Sequence, residues 1–138
     1  MRIKGYAWKY MHRGKHLITT SVEHSSVHRA CKQLAEHFGF EVTYLPVLEN
    51  GCVDVKALKK ALRKDTILVS IMMVNNETGA INPIKECADY VHANSRAAFH
   101  VDAVQALGKI PVDLSYIDMA TFSAHKIYGL KGSAILYK

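Results

Sequence analysis

The run TILVSIMMV, residues 66–74, is apolar almost throughout, interrupted only by Thr66 and Ser70. It lacks the alternation of apolar and polar positions that a strand with one wet face shows. Such a composition fits a strand covered on both faces, as in a parallel sheet sandwiched between helices. The run is too short to cross a bilayer, which needs ~20 apolar residues, and no other stretch of the chain comes closer.

Working outward, the flanking segments alternate in type. Upstream, residues 2–12 read as a helix closed by Arg13-Gly14, and HLITT (16–20) as a short strand. In SSVHRACKQLAEHFG (25–39), Val27, Ala30, Cys31, Leu34, Ala35 and Phe38 form one stripe of an amphipathic helix. Ser25 or Ser26 is expected to cap its start and Gly39 to end it. EVTYLPV (41–47) is a strand and ENG (49–51) a turn, after which Asp54 caps a helix bearing Val55, Leu58, Ala61 and Leu62. Downstream, NNETGAINP (75–83) is a loop, with Asn82 as cap and Pro83 at the first helical position. The next helix buries Ile84, Cys87, Ala88 and Val91. AAFHV (97–101), IDMATF (117–122) and SAILYK (133–138) complete the strands. Strand–helix alternation with long connections predicts right-handed βαβ units: an α/β, three-layer fold, a mostly parallel sheet with flanking helices, in one domain.

The 138 residues are 49% hydrophobic and 22% charged, ordinary for a globular domain. Net charge is +6, and it is uneven: Arg2, Lys4, Lys9, Arg13 and Lys15 precede the first acid, Glu23. No aromatic or glycine pattern of a nucleic-acid module accompanies these bases, so they read as an exposed basic helix belonging to something larger, with neither nucleic acid nor membrane as a partner. Cys31, Cys52 and Cys87 show no CxxC spacing, which indicates neither a disulfide framework nor a zinc ribbon and fits a cytoplasmic location. Cys31 and Cys87 lie on helix stripes as core residues, whereas Cys52 lies in an exposed turn.

In open α/β sheets, ligands bind beyond the carboxyl ends of the strands. Those ends carry Glu23-His24, Asn75-Asn76, Asp102 with Gln105, and Ser123 to Lys126. A carboxylate at Asp102 with little solvent needs a cationic partner. Lys126 is one candidate and a protonated pyridine nitrogen another; a plain buried Asp–Lys ion pair is the structural alternative. His24 and His28 are four apart, but no third ligand is spaced to complete a metal site, so no metal is expected. On its own, Asn75-Asn76-Glu77-Thr78-Gly79 would be a polar turn.

EHSSV (23–27), VNNETG (74–79), HVDAVQ (100–105) and SAHKIYG (123–129) occur in the order and approximate spacing of the cysteine desulfurases, pyridoxal-phosphate enzymes of the aminotransferase class V group. SAHKIYGLKG resembles the branch serving iron–sulfur cluster assembly. The resemblance runs from about Ile18 to Lys138 and implies part of the large domain of the type I fold of pyridoxal-phosphate transferases. It implies pyridoxal 5′-phosphate as cofactor, with Lys126 binding it covalently and moving the substrate's α-proton. Asp102 would face the pyridine nitrogen; Gln105 and Asn76 would hydrogen-bond near the ring's 3-hydroxyl. His24 would stack on the ring and assist proton transfer, and Ser123 and His125 would hold the phosphate. L-cysteine is the implied substrate, with a homodimer as the working assembly and a sulfur-acceptor or scaffold protein as a further partner.

The same resemblance implies a central fragment, residues 1–138, with the amino-terminal phosphate-loop segment and the carboxyl-terminal small domain absent. None of Cys31, Cys52 or Cys87 matches the sulfur-accepting cysteine, so the fragment is expected to be inactive alone. Ala124 and Leu130 depart from the family's usual glycine and proline. The alternatives are another class V enzyme, a selenocysteine lyase or an aminotransferase, and a non-catalytic remnant or dimerisation module.

Overall fold

In the computed structural model, residues 2–123 and 134–137 are described. Six strands form one sheet: β1 (His16–Thr20), β2 (Glu41–Leu45), β3 (Thr66–Met72), β4 (Ala98–Asp102), β5 (Met119–Ser123) and β6 (Ala134–Tyr137). Their order is β2-β1-β3-β4-β5-β6, parallel except for β6, which runs antiparallel to β5. The four helices are α1 (Arg2–Tyr10), α2 (Ser25–Phe38), α3 (Val55–Ala61) and α4 (Ile84–Asn94).

Every residue of β3 is buried, as its unbroken apolar run requires. Its side chains feed two cores. Val69 and Ile71 pack with Ile18, Leu58, Val91 and Phe99 on the face covered by α3 and α4. Leu68 packs with Leu17, Ile3, Ala7, Cys31 and Leu34 on the face covered by α1 and α2. The expected three-layer α/β architecture is therefore present. The basic first helix is not merely an exposed appendage, because Ile3 and Ala7 are buried against the sheet. Gly14 lets the turn after α1 pass the backbone of Asp65: an added Cβ would stand 2.1 Å from the Asp65 carbonyl oxygen. Gly39, at φ 66°, ends α2 in the left-handed region, where glycine carries no Cβ penalty.

Several local expectations need correction. The cap of α2 is His24, whose side chain accepts from Ser26 N, and not Ser25 or Ser26. Pro83 precedes the first helical residue of α4 instead of occupying it. The Asn82 side chain does not cap; it accepts from Val53 N (2.7 Å) and donates to the Met72 carbonyl (2.8 Å), bracing a loop. Ala35 and Phe38 lie outside the buried stripe, and Phe38 meets the Trp8 ring edge-on at 5.3 Å. Cys52 is half-buried, not exposed, with its Sγ donating to the Ile81 carbonyl. Strand bounds shift by one or two residues, most visibly at β5, which begins at Met119.

Candidate functional site

The chain steps from β1 to β2 on one side and then crosses to β3 on the other, so the order of connection reverses between β1 and β3. In parallel sheets such a switch point opens a crevice at the carboxyl ends of the strands. A cavity of about 400 Å³ lies there, within the usual range for small-molecule sites. It is lined by His24 and Ser26 after β1, by Met72, Val74 and Asn76 at the end of β3, by Asp102, Val104 and Gln105 after β4, and by Thr121, Phe122, Ser123 and Ala134. Five of the residues singled out in the sequence, His24, Asn76, Asp102, Gln105 and Ser123, thus border one space. His125 and Lys126 lie outside the described residues, as do Ala124 and Leu130. A larger hollow of about 590 Å³ at the start of α4, lined by Ile81, Ile84, Ile110, Pro111 and Tyr116 among others, includes none of the predicted site residues.

Asp102 is 8% exposed. Its Oδ1 accepts from Val104 N at 3.0 Å, a short turn that aims the chain away from the strand end. Burial raises its carboxyl above the ordinary range, opposed by the Val104 N–H and by His24. A buried acid in that condition is completed by a cation brought close to it. Gln105 is half-buried, and its Oε1 accepts from Lys109 Nζ at 2.8 Å. His24 is exposed; its Nδ1 engages Ser26 N and Oγ, which fixes where the imidazole stands at the start of α2.

Asn75 and Asn76 divide their labour. Asn75 is buried; its Oδ1 accepts from Glu77 N (2.8 Å) and Thr78 N (3.0 Å), and its Nδ2 donates to the Val22 carbonyl (3.2 Å). It builds the loop, and its exposed neighbour Asn76 borders the cavity. Glu23, one of the polar strand ends but given no role by the resemblance, is buried, and its Oε1 accepts from Met72 N (2.7 Å) and Thr20 Oγ1 (2.9 Å). Its signal was available: a carboxylate following a strand buried at every position. His28, the other imidazole of the spaced pair, stacks on Tyr44 at 5.3 Å.

The thiols are placed for packing. Cys31 and Cys87 are fully enclosed, and burial pushes both up to about 12, far from thiolate chemistry at neutral pH. Among the described residues, no helix is long and apolar enough to cross a membrane, and no group of three or more His, Cys, Asp or Glu side chains is arranged to hold a metal ion.

The profile described as aminotransferase class-V matches residues 1–138. The chain is 51% identical, over 139 aligned positions, to the cysteine desulfurase IscS of Vesicomyosocius okutanii subsp. Calyptogena okutanii (strain HA), covering 99% of this chain and 34% of that protein. It is 50% identical to the cysteine desulfurase IscS of Salmonella arizonae, with the same coverage. Among solved structures, a NifS-like protein superimposes with a TM-score of 0.94 at 42% identity, over 99% of this chain and 38% of that one. SspA in complex with cysteine gives 0.91 at 39% identity, over 99% of this chain and 39% of that one. DndA from Streptomyces lividans gives 0.90 at 40%, over 99% and 38%. The chain thus spans 34% of the length of the curated relatives it matches. Its mostly parallel sheet with flanking helices is the architecture of these NifS-like proteins.

Proposed function

The chain belongs to the aminotransferase class-V family, and from that premise we propose that it is cofactor-binding machinery of a pyridoxal-phosphate-dependent cysteine desulfurase. The observation that carries the proposal is the gathering of His24, Asn76, Asp102, Gln105 and Ser123 around one cavity at the β1/β3 switch point. The names of its relatives supply the chemistry, since they are cysteine desulfurases at about half identity.

The residues fit pyridoxal 5′-phosphate. A buried carboxyl at Asp102, held off its ordinary range by burial, suits a protonated ring nitrogen. The bound cofactor would supply an electron sink for charge developing at the substrate's α-carbon. Asp102 would hold the ring nitrogen protonated by serving as its anionic partner. Asn76 and Gln105 would offer amide donors to the ring's oxygen substituent and so orient it. His24 stands at the cavity wall, where its imidazole would pack on the cofactor, exclude water and carry a proton to or from the substrate. Ser123 would donate to the phosphate, with His125 two residues on as a second donor. Lys126 would hold the cofactor through its amine and would be the base that moves the substrate's α-proton.

The net reaction is L-cysteine plus an acceptor thiol giving L-alanine plus a persulfide on that acceptor. The sulfur leaves Cβ for the acceptor sulfur, and one proton takes its place on carbon. Cys31 and Cys87, enclosed and protonated, are unsuited to the acceptor's part, and Cys52 does not border the cavity. The acceptor thiol, a homodimeric assembly and a sulfur-receiving scaffold protein are therefore assigned to the whole protein. The test is direct: pyridoxal phosphate added to the chain should produce a new visible absorbance band. Borohydride should then fix the cofactor to Lys126, read by peptide mass. Absence of the band, or a band unchanged in Lys126→Ala, refutes the proposal.

A further inference from the structure

We infer that Glu23 is a positioning residue of this cavity, held as a neutral carboxylic acid whose hydrogen bonds set His24 and the end of β3 against Asp102; the inference rests on the cofactor reading above. Glu23 is 6% exposed and sits one residue before His24, where the chain leaves β1 for α2. All its hydrogen bonding falls on one oxygen: Oε1 accepts from Met72 N at 2.7 Å and from Thr20 Oγ1 at 2.9 Å. Oε2 is enclosed and meets no hydrogen-bond partner among the described residues. An ionised carboxylate spreads its charge over both oxygens, and a buried oxygen without a donor makes that form costly. A proton on Oε2 removes the charge and leaves both bonds to Oε1 intact.

The Met72 N–H and the Thr20 hydroxyl favour the anion, but burial outweighs them, and the charged and titratable groups among the described residues side with burial. Asp102, on β4, bears on it as a like charge. Cys31, on the inner face of α2, stays a neutral thiol. His24 and Glu77 share with it the lining of a neighbouring hollow of about 420 Å³, which includes no lysine or arginine among the described residues. Burial pushes the Glu23 carboxyl up to about 8.

Position follows from what the carboxyl grips. Met72 is the register partner of Asp102, and Met73 N donates to the Asp102 carbonyl at 2.9 Å. The segment Met72–Met73 is thus held by Glu23 from the β1 side and by Asp102 from the β4 side. Ionising Glu23 strengthens its grip on Met72 N and Thr20 Oγ1, yet it places a second negative charge beside Asp102 and draws water toward the enclosed Oε2, which opens the turn that presents His24.

The probe is pyridoxine 5′-phosphate, which has the ring nitrogen and phosphate but no aldehyde, so its binding does not depend on the amine of Lys126. Its affinity is measured calorimetrically between pH 6.5 and 9.5 for the chain, Glu23→Gln and Glu23→Ala. The ligand's own titrations are common to all three and cancel in ratios. With a carboxyl that ionises at about 8, the chain should match Glu23→Gln at pH 7 and bind about tenfold more weakly than it at pH 9. Glu23→Ala should bind weakly throughout, glutamine restoring what alanine loses. Parallel pH profiles for the chain and Glu23→Gln overturn the inference even if Glu23→Ala fails to fold. No binding by any variant at any pH overturns the cofactor reading itself, a result distinct from parallel profiles.

Discussion

Replacing Glu23 with glutamine should remove a pH dependence of stability, and its size can be worked out. In the unfolded chain the carboxyl ionises near 4.5, and in the folded chain burial moves it to about 8. Between these values the native state holds one proton more than the unfolded state. The contribution of Glu23 to stability is therefore fully present below 4.5 and is lost as pH rises through 8. Each pH unit in that window costs about 1.4 kcal/mol, so raising pH from 5 to 9 should cost about 4 kcal/mol. That is a large share of the roughly 5–15 kcal/mol that holds an ordinary domain folded. Glutamine keeps the acceptor oxygen that takes Met72 N and Thr20 Oγ1 and cannot ionise. Urea unfolding followed by circular dichroism at unit steps from pH 5 to 9 gives the difference between the two chains, in which all other titrations cancel. Glu23→Gln should lie within about 1 kcal/mol of the parent at pH 5 and exceed it by about 4 kcal/mol at pH 9. A difference that stays constant across the range refutes a buried, protonated Glu23.

Three further outcomes are expected. Gly14→Ala, which drives a Cβ against the Asp65 carbonyl, should cost about 1–3 kcal/mol in the same urea assay; an unchanged midpoint would show that the turn has slack. Asn75→Ala should destabilise the fold by about 2 kcal/mol or more by orphaning two backbone N–H groups, whereas Asn76→Ala should leave the urea midpoint alone and weaken cofactor binding. His16 is enclosed, with Nδ1 bonded to Thr66 Oγ1 (2.7 Å) and Nε2 to Thr43 Oγ1 (2.8 Å), and its pKa is lowered, chiefly by burial and then by Arg63. The unfolded state takes the proton first, so this part of stability is present above about pH 6.5 and erodes as pH falls below it; an imidazole NMR titration midpoint at or above 6.5 would contradict that.

The architecture was legible because β3 carries no alternation at all, a pattern that only a two-sided burial explains. The polar strand ends were legible for the complementary reason: ionisable groups follow runs that exclude water. What escaped was decided by individual partners. No preference scale for helix caps anticipates an imidazole accepting from Ser26 N. The outward position of Phe38 depends on Trp8, a residue thirty positions away that offers it an edge contact. Asn75 and Asn76 are identical side by side in sequence, and only the loop closed through Glu77, Thr78 and Val22 tells the builder from the candidate ligand. Glu23 was visible as a polar end, but its one-sided bonding was not.

The double burial of β1 has a consequence for how the sheet assembles. Leu17 and Ile18 enter opposite cores, so sliding this strand by one residue trades grease for grease and burial alone offers little resistance. The polar ties at its two extremities do resist. His16 bolts the entry of the strand to both neighbours beside an irregularity in its pairing with β3, and Glu23 latches its exit to Met72. The alignment of the central strands is thus keyed by two protonatable side chains, one of them next to His24 at the cavity wall, so that a misaligned sheet and a misshapen site would arise from the same error.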